Sequence, residues 1–195
     1  MIISGVTPND DFSDIIRLIY ETDEYIYSSM CGNDYSYFEK IMLHHLNSKS
    51  IFSYKNITVA RMETNVAGIV LSFTSSQSLP SMPENNEFDI RNCYSLTMKD
   101  YFQELLSEIP PDSLYINNIC VEKKYQGLGI AYALIQHVIK NTDKNRILLD
   151  CLADNKLAIA LYRKCGFNVT DCFQGFSGDA AKPVQCLKFE RSSLT

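Results

Sequence analysis

Residues 126–131 read Gln126-Gly127-Leu128-Gly129-Ile130-Ala131, two glycines set between "LYINNICV" and "GIAYALIQHVIKN". The first stretch has the β-branched and apolar content of a strand, and the second has a helical apolar spacing through Ile130, Leu134, Ile135 and Val138. At such a junction the first backbone N–H groups of the helix have no intrahelical acceptor, and the helix dipole makes that end positive. Glycine lets the backbone come close to a ligand and take angles that a side chain forbids. The combination is a phosphate site, and Lys123 and Lys124 just before it add charge.

Two phosphate motifs can be compared with it. The P-loop is excluded, because no Gly-Lys-Ser/Thr follows at the required spacing. The dinucleotide fingerprint GxGxxG matches at Gly127 and Gly129, and Asp150 ends the following strand, where a ribose-binding acid belongs. The third glycine position, however, is Tyr132, and too few strands follow the loop for a dinucleotide fold.

Upstream, "DDFSDIIRLIYETD" spaces Phe12, Ile15, Ile16 and Ile19 as one helical stripe that Asp10 or Asp11 is placed to cap. A second helix runs through "SYFEKIMLHHLN" with Phe38, Ile41, Met42 and His45 on one side, and "ITVARMETNVAGIVLSF" reads as a hairpin turning near Glu63-Thr64-Asn65. Residues 74–113 form an irregular insertion, a Pro/Ser/Asn-rich loop followed by a helical pattern with Leu96, Tyr101, Leu105 and Leu106 on one face. Beyond the glycine junction come a buried strand "RILLDC", a helix from Asp154 or Asn155 to the stop at Gly166, and two closing strands, "FNVTDCF" and "PVQCLKFE". The pattern predicts a single α/β domain over 1–195, a mixed central sheet flanked by helices.

A net charge of −5 on 195 residues argues against a nucleic-acid binder, since phosphate neutralisation needs surplus Lys and Arg. The start "MIISGVTPNDDF" lacks the basic, apolar pattern of a signal peptide, and no apolar run is long enough to span a bilayer. Seven cysteines form no CxxC pair, which predicts a reduced, cytoplasmic protein. His44 and His45 are adjacent on their helix and diverge, and no ligand spacing predicts a metal.

The segment Gln126-x-x-Gly129-x-Ala131, after a strand and opening a helix, resembles the signature Arg/Gln-x-x-Gly-x-Gly/Ala of the GCN5-related N-acetyltransferase (GNAT) family. A second segment, Asn155-x-x-Ala158-x-x-Leu161-Tyr162-x-x-Cys165-Gly166-Phe167, resembles that family's Asn-x-x-Ala-x-x-Leu-Tyr-x-x-x-Gly-Phe at the expected distance downstream. The resemblance spans about Leu114 to Phe167. It implies the acyl-CoA N-acyltransferase fold and transfer of acetyl from acetyl-CoA to a primary amine by direct attack, in a protein that is often a homodimer.

The resemblance further implies that the amides of Gln126, Gly127, Leu128, Gly129, Ile130 and Ala131 hold the coenzyme diphosphate, and that the pantetheine arm lies along Ile119, Cys120 and Val121. A backbone N–H at Cys120 would face the thioester carbonyl. Tyr162 would protonate the departing thiolate, a task a phenol performs while neutral. Asn155 would contact the coenzyme as well as cap its helix. The N-terminal helices and the 74–113 insertion would wall the acceptor side, with Tyr25, Tyr27, Asn117 and Asn118 as candidates to line it. Cys120 has no histidine near it in sequence to make it a covalent nucleophile. The strand "LYINNICV" offers no carboxylate as general base, and Glu122 at its end falls outside the cleft. A non-catalytic acyl-CoA sensor is the rival reading; it would keep the loop but have no need of Tyr162.

Overall fold

The computed structural model describes residues 1–23, 27–28, 31, 33–79, 97–176 and 183–192. In chain order the elements are β1 (Ile2–Gly5), α1 (Ser13–Thr22), α2 (Tyr35–Leu46), β2 (Ile57–Met62), β3 (Asn65–Phe73), α3 (Thr97–Glu108), β4 (Ser113–Val121), α4 (Ile130–Asn141), β5 (Arg146–Leu152), α5 (Lys156–Lys164), β6 (Asn168–Phe176) and β7 (Pro183–Ser192). The seven strands form one sheet in the order β1-β2-β3-β4-β5-β7-β6. Only β4 and β5 run parallel; the other neighbours are antiparallel. This is the mixed sheet flanked by helices that the sequence predicts.

Two cores, one on each face, hold the sheet. On one face Ile15, Ile16, Leu18 and Ile19 of α1 and Phe38, Ile41, Met42 and Leu46 of α2 pack on Val59, Ile69, Leu71, Phe73 and Tyr115, with Phe102 and Leu105 of α3. On the other, Ile130, Leu134, Ile135 and Val138 of α4 pack on Ala60, Ala67, Val70, Ile116, Ile147 and Leu149. Strands β2 to β5 thus feed residues to both cores, as the alternation of side chains along a strand allows. The β2–β3 hairpin turns at Glu63, which takes φ +55°, next to Thr64.

Some local details differ from the sequence reading. β1 carries no turn signal and was not anticipated; it pairs with β2 from Ile2↔Arg61 to Gly5↔Thr58. Neither Asp10 nor Asp11 occupies the N-cap of α1, which is Phe12. Asp11 accepts from Ser13 N–H at 2.9 Å, while Asp10 turns back to Thr7 N–H at 2.7 Å and to Arg61. Within the 74–113 insertion, α3 forms where the spacing predicts, but residues 80–96, including Leu96, lie outside those described.

Candidate active site

β4 is paired from Tyr115 to Val121 on one side and only at its start on the other. Against β3 its register runs from Tyr115↔Phe73 to Val121↔Gly68, with a bulge beside Asn117 where Leu71 meets Asn118 and Ser72 meets Ile116. Against β5 it pairs only through Ser113↔Arg146, Leu114↔Ile147 and Tyr115↔Leu148. Beyond Tyr115 the two parallel strands part. A bulge bends its own strand, so Asn117 stands where that parting begins. The unpaired edge of β4 offers backbone donors and acceptors to an extended ligand carrying amides.

The glycine junction lies at the end of that edge. Gly127 and Gly129 have φ of +79° and +76°, the left-handed region that glycine alone adopts cheaply, and a Cβ on either would point into open space. The first amide of α4 with a backbone acceptor is Ala133, which donates to Gly129 at 3.0 Å. The N–H groups of residues 127–132 have no acceptor among the described residues. Ile130, 2% exposed, nests against Gly68 of β3 and fixes where the helix begins. The Gln126 side chain folds back, Nε2 donating to Val121 O at 3.0 Å, and so clasps the loop to the end of β4. Its amide N–H donates to Lys123 O at 3.3 Å, so the open amides start at Gly127 rather than Gln126.

The ladder also corrects one expected contact. Glu122 N–H donates to Ala67 O on β3 at 3.0 Å. Because N–H groups alternate in direction along a strand, Cys120, paired with Ile69, turns its own N–H toward β3. The amides of Ile119 and Val121 face the opened edge instead. The Cys120 side chain packs against the α1 core, and burial pushes its thiol up to about 11, so it is protonated at neutral pH.

The remaining predicted residues fall in three groups. Tyr162 of α5 packs its ring on Phe189 at 5.5 Å and Phe167 at 6.3 Å, and burial raises its phenol well above the ordinary tyrosine value. Asn155 is the N-cap of α5, its Oδ1 accepting from Ala158 N–H at 3.1 Å. Asn118 is 3% exposed and donates to Thr22 Oγ1 at 2.5 Å and Tyr27 OH at 2.9 Å, while Asn117 donates to Asn118 Oδ1 at 2.6 Å. Tyr27 is itself 4% exposed, its ring against Phe38, so it and Asn118 tie β4 to the segment after α1. Tyr25 lies outside the described residues. Glu122, at the end of β4, is held by Arg17, which also binds Asp14 and Glu21.

The sequence reading considered Asp150 only as a ribose-binding acid and did not place it in this site. Along β5, Ile147, Leu149 and Cys151 face the α4–α5 core, which puts Asp150 on the opposite face, beside Tyr115 and beyond the last β4–β5 pair. Tyr115 OH donates to Asp150 Oδ2 at 3.0 Å; Oδ1 accepts from no described residue. Burial pushes the carboxyl up, the Tyr115 hydrogen bond and the Lys188 charge pull it down, and Glu108 pushes it up again. The signal available in the sequence was a single charge inside the otherwise apolar "ILLDCL", since a buried polar residue is the informative exception. Among the described residues no cluster of three or more His, Cys, Asp or Glu is arranged for a metal, and no helix is long and apolar enough to cross a membrane.

The profile of the family described as "Acetyltransferase (GNAT) family" matches residues 34–167. Among curated proteins, the [Ribosomal protein bS18]-alanine N-acetyltransferase of Escherichia coli K12 is 35% identical over 66 residues, 32% of this chain and 45% of that protein. The chain therefore aligns with less than half the length of that relative. An N-acetyltransferase from Staphylococcus aureus Mu50 superposes with a TM-score of 0.69 at 21% identity, covering 98% of this chain and 100% of the other. A GNAT family acetyltransferase from Elizabethkingia anophelis, crystallised with acetyl-CoA bound, superposes with a TM-score of 0.58 at 16% identity, covering 98% and 97%. These structures share the fold of this chain.

Proposed function

The chain belongs to the GNAT acetyltransferase family, and from that premise we propose that it transfers acetyl from acetyl-CoA to a primary amine by direct attack. The observation that carries this reading is the parting of β4 and β5 after Tyr115↔Leu148, with open helix amides at one end of the gap. The shape fits an acyl-pantetheine diphosphate. Amides 127–132 and the two left-handed glycines suit the diphosphate. The Ile119 and Val121 edge suits the pantetheine amides, and one of its N–H groups suits the developing oxyanion.

Two side chains then divide the proton transfers. Asp150 takes a proton from the attacking amine as the C–N bond forms, with Oδ1 available for it. Tyr162, kept neutral by burial, gives its proton to the sulfur as the C–S bond breaks. Direct attack agrees with a Cys120 thiol that is protonated and turned toward the α1 core.

Release of free thiol from acetyl-CoA tests the proposal, over a panel of spermidine, a lysine peptide and a peptide with N-terminal alanine, the last chosen from the curated relatives. Turnover with at least one amine, lost in Asp150→Asn, is expected. Tight acetyl-CoA binding with no turnover across the panel would replace the proposal with an acyl-CoA sensor.

A further inference from the structure

Asp150 sits at the centre of a polar chain that crosses three strands and reaches a helix. From β4, Tyr115 OH donates to its Oδ2 at 3.0 Å. From β7, Lys188 is its cross-strand partner and stands on the same face. From α3, Glu108 accepts from Lys188 Nζ at 2.5 Å, and the same ammonium lies 5.1 Å from the Phe173 ring. Cys186, two residues before Lys188 on β7, and Asp23 after α1 also bear electrostatically on this face. The only hydrogen bond Asp150 receives from a described residue is thus that of a tyrosine which is itself 7% exposed and packed on Phe73 at 5.6 Å.

Resting on the assignment of Asp150 as base, we propose that Tyr115, Lys188 and Glu108 are positioning residues that decide when Asp150 is able to accept a proton, Tyr115 and Lys188 acting in one direction and Glu108 in the other. Tyr115 donates to the carboxylate and cannot do so equally well to the protonated form, so it favours the anion. It also occupies Oδ2, leaving Oδ1 for the incoming amine. Lys188 favours the anion too, by charge. Glu108 restrains that effect by engaging the ammonium, which keeps Asp150 basic enough to take a proton from an amine. It also neutralises a cation that would otherwise repel a positively charged acceptor.

The direct test needs no acceptor. In protein labelled with 13C at aspartate carboxyls, the Asp150 resonance is identified by its loss in Asp150→Asn and then followed against pH. Tyr115→Phe, which keeps the ring against Phe73, should move the titration midpoint upward, and Glu108→Gln should move it downward. In kinetics with the best amine of the panel, Tyr115→Phe should lose about tenfold in kcat/KM on the acid limb and less than about twofold on the plateau. Glu108→Gln should raise KM for spermidine more than it changes kcat.

Should Tyr115→Phe fail to fold, the exposed Glu108→Gln still carries the test. Unmoved midpoints in the folded variants, or shifts of the same sign in both, would overturn the proposal. Asp150→Asn distinguishes that from failure of the premise: if it keeps full turnover, Asp150 is not the base, whatever its titration shows.

Discussion

Asp150 and Tyr162 lie on opposite faces of the sheet. Asp150 shares its face with Tyr115 and the α1–α3 core; Tyr162 packs into the α4–α5 core with its neighbour Cys151. The relation follows from strand geometry, because Asp150 and Cys151 are consecutive and successive side chains must diverge. In the proposed mechanism the base and the acid therefore act from opposite faces of the sheet.

Tyr162→Phe should therefore lower kcat by about 100-fold, within the range a positioned general acid supplies. The dissociation constant for acetyl-CoA should stay within about twofold, because the ring packing on Phe167 and Phe189 survives. Stopped-flow thiol release together with calorimetric titration of acetyl-CoA measures both. Equal kcat in the two proteins would remove Tyr162 from the chemistry.

Gly129→Ala separates stability from binding. A left-handed alanine costs about 1–2 kcal/mol, yet its methyl meets nothing within 4 Å in the protein. In the proposed complex the methyl, and the left-handed strain with it, falls on the loop that holds the diphosphate. Acetyl-CoA affinity should fall at least about tenfold, while the fold is weakened only by the backbone term. Calorimetry and urea unfolding give the two numbers.

Gly68→Ala should do the reverse. Its Cβ would stand 2.9 Å from Cys120 O and 3.3 Å from Ile130 Cγ2, backbone on one side and a buried helix start on the other. Overpacking of this kind costs roughly 1–3 kcal/mol. Urea unfolding should show that loss, and the strain should push α4 off β3 enough to weaken acetyl-CoA binding as well.

Much of this site was legible in the sequence because its signals are local. The glycines at 127 and 129 announce left-handed turns, the spacing of Ile130, Leu134, Ile135 and Val138 gives the buried face of α4, and Asn155 and Gly166 bracket α5. What escaped depends on pairing between distant segments. β1 is a strand because β2 offers it an edge. The direction of the Cys120 N–H depends on ladder parity, which the β3–β4 register decides. Asp150 became a candidate base only once β4 and β5 were seen to separate above it and Tyr115 to reach across.

His45 predicts how the protein responds to acid. It is fully buried on α2, stacked on Phe52 at 6.2 Å, and burial with the adjacent His44 pushes its imidazole down from 6.5 to about 3. The unfolded chain therefore binds a proton that the folded chain refuses. The stability that this difference represents is present above pH 6.5 and is lost as pH falls toward about 3. The slope is at most about 1.4 kcal/mol per pH unit for one group. His45→Leu, which keeps an apolar side chain against Phe52, should flatten the decline of urea stability between pH 6 and pH 4 by about that slope. An unchanged slope in the variant would mean that other groups govern acid unfolding.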